Sequence, residues 1–152
     1  MAMSRSQLVT LTNMCMIYDN NRVLVQNKIG KYFSGITFPG GHVEEDESLT
    51  DAVIREVLEE TGLTISEPRL CGTKNWTMKN GVRYIVFLYK TNKFSGELKS
   101  SHEGEVFWTD IESMKNMELA DSMDGTLKVF LNEDIEEQYL YKENDEWKEA
   151  LK

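Results

Sequence analysis

The order of strand-like and helix-like segments in this sequence is compatible with an α/β fold in a single domain, residues 1–152. The chain has 152 residues, of which 40% are hydrophobic, enough to bury a core without disulfides or a structural metal. Turn-forming residues separate several pairs of β-forming runs, and one long segment has helical spacing with a cap residue at each end. No internal repeat or linker divides the chain.

Turn-forming residues between β-forming runs predict three hairpins. Their strands are 8–18 with 22–26, 69–78 with 82–89, and the two halves of 138–151. The second hairpin has the strongest signal, because Asn80-Gly81 tolerates the positive φ of a tight turn. The third is predicted as a C-terminal extension over about 134–152, and a short strand is expected at 105–109.

Cap residues frame the clearest helix, which is predicted over about residues 49–61. Ser48 offers the N-cap and Gly62 the C-terminal stop. Its apolar face is expected to contain Val53, Ile54, Val57 and Leu58. A second helix is predicted over 121–131, and a loop over 27–35.

The net charge of -9 argues against generic DNA or RNA binding, which depends on basic residues opposite phosphate. A phosphate-bearing substrate would therefore need a bound cation to attract it. The first twenty residues lack the apolar run of a signal peptide or membrane span, so we expect no membrane association and a cytoplasmic protein. Cys15 and Cys71 are isolated, which predicts small buried residues and no zinc site.

Three carboxylates of the predicted helix, Glu56, Glu59 and Glu60, fall within one arc at about 100° per residue. Two such groups about 6 Å apart repel by roughly 3 kcal/mol at an effective dielectric near 20. A divalent ion such as Mg²⁺ or Mn²⁺ would relieve this repulsion and also bridge to phosphates. The alternative is a solvated acidic face on which Arg55 and Glu59 form an i,i+4 pair.

A double glycine, Gly40-Gly41, precedes this helix and can bring main-chain groups close to a ligand. Residues 41–63 then resemble a complete Nudix box, G-x5-E-x7-R-E-U-x-E-E-x-G-U with U aliphatic, and no position departs from that pattern. The resemblance implies an α/β/α sandwich with a mixed β-sheet and the box as loop-helix-loop. It also implies a metal-dependent hydrolase.

Carried over position by position, the resemblance assigns roles within the box. It implies that the carboxylates of Glu56, Glu59 and Glu60 bind metal or act as the base, and that the Gly40 carbonyl is a further metal ligand. The structural positions of the box are Gly41, Glu47 and Gly62. Arg55 would orient the carboxylates by pairing with Glu47. Glu103 stands five residues before Trp108, as a metal-approaching glutamate does in similar family members.

Hydrolysis requires in-line attack of water on phosphorus, helped by metal ions that lower the pKa of the water. We expect Glu56, Glu59 or Glu103 to take the proton, with the choice open. The alternative for Glu103 is a plain loop charge.

Substrate contacts are predicted outside the acidic cluster. The phosphate candidates are Lys28 and Lys31, with Arg22, Lys74 and Arg83 as weaker ones, and the base-stacking candidates are Tyr32, Phe33 and Trp76. Trp76 fits a core position as well. The resemblance adds Asp121 or Asp124 as a reader of the base, although helix capping explains Asp121 equally well.

Within the family, the chain is most similar to MutT-like nucleoside triphosphate pyrophosphohydrolases. The expected reaction is 8-oxo-dGTP to the monophosphate plus pyrophosphate, a nucleotide-pool function that supports DNA repair. Alternatives are another diphosphate substrate, namely a nucleotide sugar, a dinucleoside polyphosphate or an RNA 5′ end, or an inactive nucleotide sensor. The C-terminal hairpin could pair across a homodimer or pack within a monomer.

Overall fold

The computed structural model describes residues 4–152, which form ten strands and three helices. The strands are β1 Val9–Asp19, β2 Arg22–Lys28, β3 Gly35–Thr37, β4 Leu63–Ile65, β5 Arg69–Thr77, β6 Arg83–Thr91, β7 Phe94–Gly96, β8 Gly104–Asp110, β9 Glu137–Glu143 and β10 Glu146–Leu151. The helices are α1 Leu49–Thr61, α2 Ile111–Lys115 and α3 Met123–Leu131. None of the three is long and apolar enough to cross a membrane.

The main sheet is mixed and has the order β10-β9-β5-β6-β1-β2-β3, with β8 also paired to β2. The β1–β6 and β5–β9 pairs are parallel, and the other pairs are antiparallel. β1 and β2 pair only beside their turn, at Tyr18 with Val23 and Asp19 with Arg22. Beyond these residues the two strands diverge, and β3 pairs with the end of β2. This divergence leaves one edge of β1 free for another partner.

Side-chain alternation along β1 and β2 divides the core between the two faces of the sheet. Met14 and Met16 contribute to a cluster with α2 and α3, whereas Cys15 and Ile17 contribute to a cluster with α1. Successive residues of a strand point to opposite faces, so a strand covered by helices on both faces is apolar throughout. The two clusters confirm the α/β/α sandwich with a mixed sheet.

The box helix α1 has the predicted bounds. Ser48 accepts a hydrogen bond from the Asp51 N–H, and Gly62 ends the helix with φ 77°. Val53 and Val57 are buried, as expected, but Leu58 is 48% exposed. The apolar arc is thus narrower than predicted, because at about 100° per residue Leu58 lies about 140° around the helix from the buried Val53.

All three predicted hairpins are present, with turns at Asn20-Asn21, Asn80-Gly81 and Asn144-Asp145. The last turn has positive φ at both central residues, which is the conformation that tight hairpins favour. The C-terminal hairpin extends the main sheet, because β9 pairs with β5. The prediction missed the short elements β3, β4, β7 and α2. Cys15 is buried as expected, whereas Cys71 is only half-buried.

Candidate active site

The segment around Gly40 lies against the free edge of β1. The Cys15 N–H donates to the Pro39 carbonyl and the Asn13 N–H to the Gly41 carbonyl, each at 2.8 Å. Within residues 4–152 the Gly40 carbonyl accepts no hydrogen bond, so it is available to a ligand. A Cβ at Gly40 would collide with the main chain of β1, which explains why glycine is needed there.

Arg55 is the centre of an ion-pair network that connects the loop to α1. Its Nε and Nη2 donate to both carboxylate oxygens of Glu47, at 3.0 and 2.7 Å. Its Nη1 donates to Glu56 at 3.0 Å and to Glu59 at 3.2 Å. The bidentate pair lowers the pKa of Glu47 to about 2. Arg55 therefore orients both helix carboxylates.

Glu60 is the buried carboxylate of the group, at 4% exposure. It accepts a hydrogen bond from the Gly40 N–H at 3.0 Å, and its Oε1 lies 3.6 Å from Lys28 Nζ. Desolvation raises the pKa of Glu60 to about 7, against the opposing effect of Lys28. Burial also raises the pKa of Glu56, whose carboxylate fills the space that a Cβ at Gly41 would need.

Glu103 lies beside the box carboxylates although it is far from them in sequence. Its Oε2 is 3.0 Å from Lys28 Nζ, so Lys28 bridges Glu103 and Glu60. The hydrogen bond from Lys28 lowers the pKa of Glu103. Burial alone would lower the pKa of Lys28, but the two carboxylates outweigh that effect and raise it.

Residues 4–152 contain no three acidic, histidine or cysteine side chains already gathered around one point as in a preformed ion site. Instead, Lys28 and Arg55 neutralise the carboxylates. The oxygen groups that could hold a hard cation are those of Gly40, Glu56, Glu59, Glu60 and Glu103. For such a cation to bind, some of these carboxylates must exchange their lysine or arginine partner for the cation.

A cavity of about 440 Å³ begins at Gly40, Gly41 and Lys28 and continues over the α3-facing side of the main sheet. Its wall includes the predicted Tyr32, Phe33 and Trp76, and also Lys74. Tyr32 is 91% exposed, so it lies at the mouth. Trp76 stacks on Tyr84 with ring centroids 4.6 Å apart.

Other predicted substrate residues do not line this cavity. The ammonium of Lys31 lies 5.4 Å from the ring of Tyr32 at the exposed loop. Asp121 is exposed, and Asp124 lines a separate groove beside α3. Arg22 pairs with Asp19 beside the first hairpin turn, and Arg83 donates to Gln7 and Asn75.

Sequence reasoning missed two buried amides of the cavity wall, Asn13 and Gln26. No local signal marks either one, because Asn13 follows the segment Thr10-Leu11-Thr12 in β1 and Gln26 begins the polar end of β2. Asn13 Nδ2 and both polar atoms of Gln26 are buried without a partner in the described chain. Tyr84 of the cavity wall was missed as well.

Comparisons with known proteins agree with this arrangement. The family model described as NUDIX domain matches residues 10–130. The uncharacterized Nudix hydrolase YvcI of Bacillus subtilis is 31% identical over 129 residues, 82% of this chain and 79% of that protein. An RNA pyrophosphohydrolase of Hydrogenovibrio crunogenus is 36% identical over 46% of this chain and 47% of its own length.

Among solved structures, a mutator MutT protein from Bacillus halodurans has a TM-score of 0.78 with 26% identity. The alignment covers 94% of this chain and 97% of that one. The family match thus spans the loop, the helix and the strands that form the cavity. The chain belongs to the Nudix family of hydrolases, which act on nucleotide derivatives.

Proposed function

We propose that this Nudix hydrolase cleaves the phosphoanhydride of a nucleoside triphosphate with Mg²⁺ or Mn²⁺, and that 8-oxo-dGTP is its substrate, giving the monophosphate and pyrophosphate. The observation that carries the proposal is the buried carboxylate of Glu60 beside the free Gly40 carbonyl, at one end of a nucleotide-sized cavity.

The residues present suit a divalent ion. All the available groups are hard oxygen donors, and the Gly40 carbonyl has no other partner among residues 4–152. Glu60 is costly to ionise in its present surroundings, and a second positive charge nearby would relieve that cost. Gly40, Glu56, Glu59 and Glu60 would hold the ion, with Glu103 approaching from the turn just before β8. When bound, such an ion stabilises charge on the phosphate oxygens and makes water a better nucleophile.

The chain's own side chains would bind the substrate and move the proton. Lys28 lies between the carboxylates and the cavity, where its ammonium would neutralise a phosphate oxygen. Arg55 holds Glu56 and Glu59 in orientation through its pair with Glu47. One of Glu56, Glu59 or Glu103 would accept the proton of the attacking water.

The choice of a triphosphate is supported by the extent of similarity to the mutator MutT protein, which covers 94% of this chain. Similarity to an RNA pyrophosphohydrolase extends over 46% of it and makes an RNA 5′ end the main competing substrate. Both reactions use the same carboxylates, because the box acts on the diphosphate and the rest of the substrate contacts other segments.

The test is a substrate panel with Mg²⁺: normal and oxidised nucleoside triphosphates, a nucleotide sugar, a dinucleoside polyphosphate and a 5′-triphosphorylated RNA. Released pyrophosphate and phosphate are measured for the wild type, Glu59→Gln, Glu60→Gln and the exposed control Glu146→Gln. We expect 8-oxo-dGTP to be turned over fastest. At least one box variant should lose about two orders of magnitude in turnover, while the control keeps it.

Near-normal turnover in both box variants would contradict the assignment of the site. Faster hydrolysis of the RNA or the nucleotide sugar would support the assignment of the site but contradict the assignment of the substrate. The absence of hydrolysis across the whole panel would favour a nucleotide-sensing role.

A further inference from the structure

Lys74 is a buried lysine that pairs with no carboxylate in residues 4–152. It lies on β5, is 4% exposed, and lines the cavity. The described part of the chain gives its ammonium no salt bridge and no hydrogen bond, only the ring of Trp76 at 5.8 Å. A buried cation without a hydrogen-bond partner is costly, and more distant carboxylates offset only part of that cost, so a ligand acceptor would stabilise Lys74 further.

The position of Lys74 places it at the far end of the cavity from the carboxylates. Sheet pairing aligns Lys74 with Val86 of β6, Val86 with Thr12 of β1, and Thr12 with His42. The main chains of Lys74 and His42 are therefore three strand spacings apart, roughly 14 Å. A phosphate held at Gly40 and Lys28 would be out of reach of Lys74, whereas the base of the same nucleotide would extend towards it.

The two buried amide side chains of the cavity wall leave more donors than acceptors unpaired. Asn13 has only its Nδ2 free, because its Oδ1 accepts from the Gly41 N–H at 3.1 Å. Gln26 has one donor and one acceptor without a partner. With Lys74, the buried side chains of the cavity wall offer three unpaired donor groups and a single unpaired acceptor. Trp76 and Tyr84, stacked with their planes 18° apart, provide an aromatic wall beside them.

The surroundings of Lys74 leave it protonated but poorly solvated. Desolvation lowers its pKa to about 8, and the negative charges of Asp121, Glu149 and Asp124 partly oppose this shift. At neutral pH most molecules therefore keep the ammonium and its donors. A neutral ring oxygen could accept from it without a second charge entering the cavity.

We propose that Lys74 is a specificity-determining residue that donates to the ring carbonyl oxygen of a 6-oxopurine whose phosphates lie at the Gly40–Gly41 end. The proposal rests on the proposed function, since it concerns the base of that nucleotide. Guanine and 8-oxoguanine both carry this oxygen. Adenine carries an amino group there, so two donors would face each other and binding would weaken.

The experiment measures affinity with nucleoside monophosphates, which contain no anhydride to hydrolyse. GMP, IMP and AMP are titrated by calorimetry into the wild type, Lys74→Met, Lys74→Gln and a control, Lys90→Met. Lys90 is a half-buried lysine on the neighbouring strand β6, outside the cavity. IMP shares the ring carbonyl with GMP but lacks its 2-amino group, so it isolates the contact with the oxygen.

We expect the wild type to bind GMP and IMP about tenfold or more tightly than AMP. Lys74→Met should lose about tenfold for GMP and IMP and keep its affinity for AMP. Lys74→Gln offers an acceptor beside a donor, so it should shift the preference towards AMP. Lys90→Met should match the wild type. If Lys74→Met does not fold, the shift of base preference towards AMP in Lys74→Gln tests the proposal by itself.

Equal affinity of the wild type for GMP and AMP would overturn the proposal, as would no measurable binding of GMP. Equal weakening of all three ligands in Lys74→Met would assign the lysine to the phosphates or to the fold instead. These outcomes do not depend on hydrolysis. If the enzyme cleaves triphosphates without a base preference, the proposed function stands and this inference fails.

Discussion

The two ends of the cavity differ in how their charged groups are paired. At the carboxylate end, Arg55 and Lys28 form ion pairs with four glutamates of the box, which are Glu47, Glu56, Glu59 and Glu60. At the far end, Lys74 has no salt bridge and no hydrogen bond within residues 4–152, only the ring of Trp76 at 5.8 Å. Folding alone therefore fixes the groups proposed for hydrolysis, whereas the lysine proposed to read the base gains a hydrogen-bond partner only when a ligand binds.

The largest effect is expected from Gly41→Ala at the carboxylate end. The new Cβ would take the space of the Glu56 carboxylate, and that side chain can move because its end is flexible. The displacement should lower turnover about 100-fold, the usual scale for misplacing a catalytic group by about 1 Å. Pyrophosphate release measures it. Lys79→Ala, in the exposed turn between β5 and β6, is the control; similar turnover in both variants would show that this spacing is unimportant.

A second, smaller effect on stability should distinguish a buried glutamine that is hydrogen-bonded from one that is not. Gln138 and Gln26 are both fully buried, but Gln138 is hydrogen-bonded to Thr126 and Ser122. Gln138→Met should lower the free energy of unfolding by about 1–3 kcal/mol, because it removes the buried hydrogen bonds of this side chain with Thr126, Ser122 and Glu149. Gln26→Met should not lower it, since no partner is lost. Urea denaturation without ligand compares the two, and an equal loss in both would mean that Gln26 is structural.

The smallest effect concerns the pH dependence of the Arg55–Glu47 pair. Its carboxyl has a folded-state pKa of about 2, below the ordinary value of 4.5. A lowered pKa means that the pair stabilises the fold above about pH 4.5 and loses that contribution as the pH falls towards 2. Glu47→Gln should thus have a lower thermal midpoint than the wild type at pH 7. The difference should shrink in acid, and a constant difference down to pH 2.5 would show that the charge contributes nothing.

Local signals predicted the parts of the fold that local chemistry determines. The bounds of α1 follow from Ser48 and Gly62, and two of the hairpin turns follow from Asn80-Gly81 and Asn144-Asp145. The strands β3, β4 and β7 have three residues each and exist only through their partners, so a pattern search along the chain could not find them.

The same distinction holds for the candidate site. The box pattern placed Arg55 beside Glu47, and the structure brings these two residues together. Nothing local distinguishes Gln26 from a solvent-facing strand residue, because its burial depends on where β1 and β2 separate. Asp124 is a predicted base-reading residue that does not reach the cavity, since the orientation of α3 turns it towards another groove. Long-range packing decides both cases.

The early separation of β1 from β2 also makes the two ends of the cavity independent of each other. Because residues 39–43 bond to the main chain of β1, and Gly41 also to the side chain of Asn13, the side chains of β5 and β6 do not determine where the Gly40 carbonyl points. Substitutions at Lys74, Trp76 or Tyr84 could then exchange one base for another while leaving the anhydride-cleaving apparatus in place. A scaffold of this kind can diversify its ligands by changing β5 and β6 alone.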